Sequence, residues 1–197
     1  MATIDDPSST RTGPRRFRWT SEQYYKVAEL GYFDKGRVEL IGGEIWQVTI
    51  NPPHARSMER VARKLINTFG PEYRVRIQST LDLGRRNQPE PDAAVLFEEA
   101  TAALVHPKSA LLVIEVSDTS LRKDRTIMAH LYALAGVQDY WIVNINDRQL
   151  EVHRNPGPDP TRRGRSAYAD VTIVPEAGNM APLAAPGSPI AAAGLLP

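Results

Sequence analysis

The chain has 197 residues, a size typical of one domain, and its composition excludes several classes of protein. With 42% hydrophobic and 24% charged residues, it can bury a core and is not disordered throughout. It has no cysteine, which excludes disulfide frameworks, thiolate nucleophiles and zinc sites built on sulfur. The sequence contains neither the apolar core of a signal peptide nor the ~20 apolar residues of a membrane-spanning helix. We therefore expect a cytoplasmic protein that does not enter membranes.

The net charge of +1 conceals only small differences along the chain. Residues 1–18 carry a charge of +2, residues 155–197 are neutral, and the segment between them carries −1. Nucleic-acid binding would therefore require an arranged basic patch, because the overall field is too weak to supply it. Of the 24 basic residues, 19 are Arg, whose planar guanidinium suits phosphate groups. Composition alone does not identify a nucleic-acid-binding protein.

Both ends of the chain lack the periodicity of packed secondary structure. The first residues are polar and interrupted by prolines, and residues 155–197 hold eight of the 16 prolines. We expect a disordered arm at residues 1–16, a single domain at residues 17–175 and a disordered, Pro- and Ala-rich tail at residues 176–197. A strand at residues 168–174 would still join the core.

The central part of the chain divides into helices and strands. Thr20 and Gln23 form a capping-box pattern, and Gly31 is placed to end the helix that they begin. Gly42-Gly43 separates two strands, as in a hairpin. The predicted elements are, in order, a helix at 20–31, strands at 37–41 and 44–50, a helix at 54–69, strands at 73–83, 93–97 and 111–116, a helix at 121–135, and strands at 140–144, 149–154 and 168–174. This order predicts an α/β or α+β sheet with few helices, and no Rossmann, P-loop or GxSxG motif is present.

Three carboxylates occupy strand positions where charged residues are uncommon. Glu39 lies inside the first strand, Asp92 begins an apolar strand, and Glu115 ends another. Burying a carboxylate is costly unless it is paired or binds a metal. If the three converge at one sheet edge, they provide the oxygen ligands that Mg²⁺ or Mn²⁺ prefers. The alternative is a set of strand-end acids that face water or pair with Arg.

Several short motifs around these acids resemble a known family. The motifs are ELIGGE at 39–44, PPH at 52–54, PD at 91–92, VIEVS at 113–117, DR at 124–125 and YALAGVQDYWIV at 132–143. In this order they resemble the Uma-type endonuclease family of the PD-(D/E)xK, restriction-endonuclease-like superfamily. The resemblance covers about residues 17–154.

The resemblance implies a restriction-endonuclease-like α/β (α+β) fold, with a mixed central sheet flanked by helices and preceded by a helix and a hairpin. It also implies an endonuclease that hydrolyses DNA phosphodiester bonds with Mg²⁺ or Mn²⁺. Carried over by position, Asp92 and Glu115 would bind the metal, and Glu39 would be an additional catalytic acid from the hairpin. Asp124 would orient the site or cap its helix. The metal would polarise a phosphoryl oxygen and lower the pKa of a bound water, which then attacks in line.

The sequence departs from this family where a lysine is expected. The superfamily places a Lys near the second acid, and this family supplies it from the next helix, at a position that is Met128 here. At ~100° per residue, Met128 lies on nearly the same helix face as Asp124, whereas Lys123 points roughly 140° away from Met128. A thioether cannot replace an ammonium group. We therefore expect weakened or absent catalysis, with metal binding retained.

Two other functions stay open at this stage. One is a nuclease fold that has lost catalysis and serves as a nucleic-acid-binding or protein-interaction module. The other is a metal-dependent hydrolase of a smaller phosphoester. Met128 favours loss of catalysis, and retention of Glu39, Asp92 and Glu115 argues against it.

Four side chains are candidates for substrate binding. His54 begins a helix near the site, although a helix-cap histidine facing water is an equally good interpretation. Gln78 could contact substrate or simply face outward. Arg74 and Arg76, followed by arginines in the loop at 85–86, are the phosphate-contact candidates, and a solvated Arg-rich edge is the alternative. The expected partner is DNA, and a homodimer is compatible with the sequence.

Overall fold

A mixed sheet forms the centre of the computed structural model, which describes residues 14–101 and 105–197. Its elements, in chain order, are α1 (Ser21–Glu29), β1 (Val38–Ile41), β2 (Glu44–Gln47), α2 (Pro52–Thr68), β3 (Tyr73–Ile77), β4 (Ala93–Phe97), β5 (Leu112–Ser117), α3 (Leu121–Lys123), a π-helical turn (Asp124–Met128), α4 (Ala129–Leu134), β6 (Asp139–Asn144), β7 (Gln149–Pro158), β8 (Ser166–Pro175), β9 (Asn179–Met180) and β10 (Ile190–Ala191). Short 3₁₀ turns cover Glu98–Thr101 and Ala192–Gly194. Within the described residues no helix is both long and apolar enough to cross a bilayer.

Among the described residues, six strands form the central sheet in the order β3-β4-β5-β6-β7-β8. Neighbouring strands are antiparallel except β5 and β6, which are parallel. The parallel pair requires a crossover, and the segment from α3 to α4 provides it. β1 and β2 form a separate hairpin, and β9 pairs with β10. The predicted mixed central sheet flanked by helices is confirmed.

Local signals in the sequence explain where the first elements begin and end. The capping box is present: the Thr20 hydroxyl accepts the Gln23 N–H at 3.3 Å, and the Gln23 side chain accepts the Thr20 N–H at 3.0 Å. Gly42 and Gly43 have φ values of +60° and +76°, which the tight turn of the hairpin requires. At α2, the Asn51 side chain accepts the His54 N–H at 3.0 Å.

The central sheet separates two apolar clusters. Ile114 packs on one face with Val61 of α2, and Val113 packs on the other face with Tyr132 of α4. Because side chains alternate along a strand, Glu115 lies on the same face as Val113. By the same rule Asp92, two residues before Ala94, belongs to that face too. The acids therefore lie on the side of the sheet that the π-helical turn and α4 cover.

The prediction of a disordered tail at residues 176–197 is wrong. Ile190, Ala192, Leu195 and Leu196 are buried in the same cluster as α2, each at most 1% exposed. The Ser57 hydroxyl donates a hydrogen bond of 2.6 Å to the Leu195 carbonyl. The tail was misjudged because irregular segments show no periodicity even when their apolar side chains fill a core. The predicted N-terminal arm lies, apart from residues 14–16, outside the described residues.

The packed tail should contribute measurably to stability. Ile190→Ala removes a fully buried side chain and should lower the free energy of unfolding by about 2–5 kcal/mol. Leu183→Ala is the matched control, because the Leu183 side chain is 49% exposed in the same segment. Urea denaturation of both variants tests this expectation, and equal unfolding midpoints for Ile190→Ala and the unmodified protein would contradict it.

Candidate active site

A cavity of about 330 Å³ opens where the β1–β2 hairpin, the start of α2, the end of β5 and α3 meet. Its walls include all four predicted acids, Glu39, Asp92, Glu115 and Asp124. His54 and Lys123 are also in the lining, with several further polar and charged side chains that include Arg37, Glu90 and Asp118. The structure therefore brings the predicted acids together in a single cavity.

Asp92 and Glu115 are held against each other by the pairing of β4 with β5. The Asp92 N–H donates to Glu115 Oε2 at 3.2 Å, and the Val116 N–H donates to Asp92 Oδ2 at 2.9 Å. The second oxygen of Glu115 accepts the Tyr132 hydroxyl at 2.7 Å. Both carboxylates are thus fixed by rigid strands and by α4, while each keeps an approach from the cavity.

The electrostatics of this pair favour a cation. Burial raises the pKa of Glu115 well above its ordinary value, and repulsion from Asp92, Asp124 and Glu39 raises it further. The hydrogen bond from Tyr132 only partly opposes these effects. A positive ion between the two carboxylates would relieve this repulsion.

The donor set matches some metals better than others. In the described part of the chain, no three His, Cys, Asp or Glu side chains are arranged as a complete metal-binding group. Zinc sites need three or four such ligands. Mg²⁺ keeps several waters and commonly uses only one or two carboxylates together with substrate phosphates. The pair of Asp92 and Glu115 fits that smaller requirement.

A lysine faces the acids across the cavity. Lys123 Nζ donates to Glu39 Oε2 at 3.1 Å, and its side chain is 22% exposed. Burial by itself lowers the pKa of Lys123, but Glu39 and then Glu115 outweigh it and raise the pKa overall. Burial also raises the pKa of Glu39, an effect that Lys123 opposes. At neutral pH Lys123 is therefore protonated, and the cavity lining holds a second cation, Arg37, which is paired with Glu90.

The prediction that Lys123 points away from the site is wrong. Met128 is 1% exposed and packs in the apolar cluster with Val113 and Tyr140. Lys123 lines the cavity instead, with its Nζ 3.1 Å from Glu39 Oε2. The intervening π-helical turn, in which the Ala129 N–H reaches the Asp124 carbonyl, breaks the uniform 100° rotation that the prediction assumed.

Asp124 ties the π-helical turn to the end of β5. Its Oδ2 accepts hydrogen bonds of 2.5 Å from Ser117 and from Ser120. Its carbonyl accepts the Tyr140 hydroxyl at 3.2 Å. Burial raises the pKa of Asp124, and the two serine hydroxyls oppose this shift. These bonds fix the position of its neighbour in the chain, Lys123.

His54 belongs to the site rather than to the solvent-facing end of α2. Its Nε2 lies 3.0 Å from Asp92 Oδ2, so Nε2 carries the proton that Asp92 accepts. Burial lowers the pKa of His54, but Asp92 outweighs burial and the pKa is raised overall. Nδ1 is buried and has no hydrogen-bond partner among the described residues. His54 thus orients one of the two paired carboxylates.

The other three candidates for substrate binding lie outside the cavity. Gln78 follows β3 with φ +44°, and its amide contacts the sulfur of Met58 at 2.8 Å. Arg74 pairs with Glu98, with Nε 2.8 Å from Oε2. Arg76 is partly buried on the same edge strand. Among described residues, the cavity lining includes none of these three side chains.

The fold is restriction-endonuclease-like, and comparisons with known proteins agree. The sequence matches the Uma2 family, described as "Putative restriction endonuclease", over residues 21–184, and the chain belongs to this family. The structure resembles that of "a putative nuclease belonging to DUF820" from Anabaena variabilis, with a TM-score of 0.67 and 15% sequence identity. The match covers 89% of this chain and 96% of the other, and at this identity it shows a shared fold. No curated protein matches the chain.

The raised pKa of Glu115 predicts how stability changes with pH in the absence of metal. The folded state holds the Glu115 proton more tightly than the unfolded state, so stability is lost as pH rises from the ordinary carboxyl value of 4.5 through the raised pKa. Glu115→Gln removes this loss and should be more stable than the unmodified protein at pH 8.5. Each unit of pKa elevation adds about 1.4 kcal/mol to the difference.

Urea denaturation in EDTA at pH 5 and pH 8.5 measures this difference. Glu29→Gln, at an exposed position of α1, controls for removal of a carboxylate. The expectation fails if Glu115→Gln changes the free energy of unfolding equally at both pH values.

Proposed function

We propose that this protein is a metal-dependent nuclease that hydrolyses DNA phosphodiester bonds in the cavity. The observation that carries the proposal is the arrangement of the Asp92–Glu115 carboxylate pair opposite the Lys123 ammonium. Membership of the Uma2 family supports a nuclease. The DNA substrate and the metal are our extension of that support.

Asp92 and Glu115 would hold Mg²⁺ or Mn²⁺. When bound, the ion supplies a Lewis acid for the phosphoryl oxygen and a water of lowered pKa. The chain's own contribution is orientation: Tyr132 fixes one oxygen of Glu115, and His54 fixes Asp92. Side chains held in this way lose little freedom when the substrate binds.

Lys123 would stabilise the charge that develops on the phosphate. Its raised pKa keeps it protonated, so it donates hydrogen bonds and does not act as the base. Glu39 holds Nζ at the cavity wall, and Asp124 anchors the adjoining helical turn. The weakened catalysis expected from Met128 presumed that no lysine reaches the acids, and Lys123 removes that premise. We therefore favour an active nuclease over a binding module without catalysis.

Nicking of supercoiled plasmid tests the roles of the acids and the lysine. The unmodified protein should nick plasmid with Mg²⁺ or Mn²⁺, and Asp92→Asn should abolish nicking because it removes a metal-binding charge. Lys123→Met should lower the rate by ~10²–10³, the usual cost of removing one charge-stabilising group.

Asp34→Asn and Lys26→Met, both at exposed positions, make the same chemical changes outside the cavity and should leave the rate unchanged. An unmodified protein that binds DNA without nicking it would support the inactive binding module instead. Nicking at the full rate by Lys123→Met would show that another group supplies the charge.

Metal binding can be tested separately from catalysis. Millimolar Mg²⁺ or Mn²⁺ should raise the melting temperature of the unmodified protein, because the ion binds the folded state selectively. Asp92→Asn should lose most of this increase, whereas Asp34→Asn should keep it. Calorimetric scans that show no increase for the unmodified protein would argue against a bound metal.

A further inference from the structure

A second, larger groove of about 920 Å³ lies along the outer face of α2. Its walls include Arg56, Arg60, Arg63 and Lys64, and we call these four residues and the space beside them the α2 groove. Their spacing of four, seven and eight residues from Arg56 places all four on one helix face. The opposite face of α2 carries Val61 and Leu65 into the core.

The four cations of the α2 groove are not neutralised by ion pairs. In the described part of the chain, no carboxylate lies within ion-pair distance of any of them. Glu59 is the one acid in the described lining of the groove. Several other arginines are paired, including Arg37 with Glu90, Arg125 with Glu151 and Arg154 with Asp139. The α2 groove therefore concentrates positive charge on a molecule whose net charge is only +1.

The α2 groove adjoins the catalytic cavity. Asn51 and His54, at the start of α2, line the cavity, and Pro52 between them lines the groove. With a rise of 1.5 Å per residue, the ten residues from His54 to Lys64 span about 15 Å. At ~100° per residue, His54 lies on the helix face opposite Arg56, so the cavity and the groove meet only around the first turn of α2. A ligand wide enough to pass around this turn, such as a duplex, would contact both.

We propose that the α2 groove binds the sugar–phosphate backbone of duplex DNA and supplies affinity, while the cavity supplies chemistry. The proposal deepens the nuclease function and rests on it for the identity of the substrate. Arginine forks match phosphate geometry, and a duplex carries a closely spaced row of such groups. No aromatic side chain lines the described groove, whereas proteins that bind single strands rely on stacking bases on aromatic rings.

The salt dependence of DNA binding tests this assignment. Fluorescence anisotropy with a labelled 20-base-pair duplex in EDTA would compare the unmodified protein with the triple variant Arg56→Gln, Arg60→Gln, Arg63→Gln. Each lost phosphate contact reduces the slope of log K against log salt by ~0.9, so the triple variant should lose up to about 3 from that slope. At moderate salt its affinity should fall at least ~10-fold.

The matched control is Arg162→Gln, Arg163→Gln, Arg165→Gln, which removes the same charge from the turn between β7 and β8. This control should keep the slope because its arginines lie outside the groove lining. The variant Arg56→Lys, Arg60→Lys, Arg63→Lys should keep it too, because the groove cations remain. Equal slopes for the groove variant and the control would overturn the proposal. Tighter binding of single-stranded DNA or of RNA than of the duplex would overturn the choice of duplex.

The experiment separates this proposal from the nuclease function. Binding is measured without divalent metal, so the absence of nicking would not affect its interpretation. If the unmodified protein does not nick DNA, and the groove variant shows a smaller salt dependence of DNA binding than the unmodified protein, the nuclease function is refuted and DNA binding by the α2 groove is supported. If the unmodified protein nicks plasmid and the groove variant binds DNA with an unchanged salt dependence, the nuclease function is supported and the α2 groove is refuted as the DNA-binding surface.

Discussion

The confinement of two carboxylates between neighbouring strands is the constraint on which the rest of this structure depends. Where β4 pairs with β5, the Asp92 N–H donates to the Glu115 carboxylate and the Val116 N–H donates to the Asp92 carboxylate, so neither side chain can move away without breaking a hydrogen bond to the backbone. Their mutual repulsion costs stability in the absence of a cation. Tyr132, His54 and Lys123, which come from three different helices, surround the pair and partly offset this cost.

The surrounding elements serve this site in different ways. The β1–β2 hairpin contributes Glu39, which holds Lys123, and the bonds from Ser117 and Ser120 to Asp124 anchor the π-helical turn beside it. α2 begins in the cavity and continues as the wall of the α2 groove. The packed tail lies against the inner face of α2, where Ser57 bonds to the Leu195 carbonyl. The site and the groove thus share one helix whose position the tail helps to fix.

Much of the fold could be predicted because local signals determine it. The capping box at Thr20, the Gly42-Gly43 turn and the apolar run before Glu115 each indicate an element that the structure contains. The tail could not be predicted, because burial of Ile190 and Leu195 depends on contacts with distant elements rather than on a repeating pattern. Lys123 was misplaced because a π-helical turn leaves no clear signal in the sequence. The four basic residues of the α2 groove recur in the sequence at helical spacing. That the groove and the cavity meet at the first turn of α2 appears only in the three-dimensional structure.

The central claim is that the Asp92–Glu115 pair is a cation site, and diffraction from crystals soaked in Mn²⁺ would test it most directly. The account predicts an anomalous peak within bonding distance of both carboxylates, in the cavity that Lys123 also lines. Asp92→Asn crystals treated in the same way should lose that peak. A well-ordered cavity with no peak at millimolar Mn²⁺, or a peak that contacts neither Asp92 nor Glu115, would contradict the account.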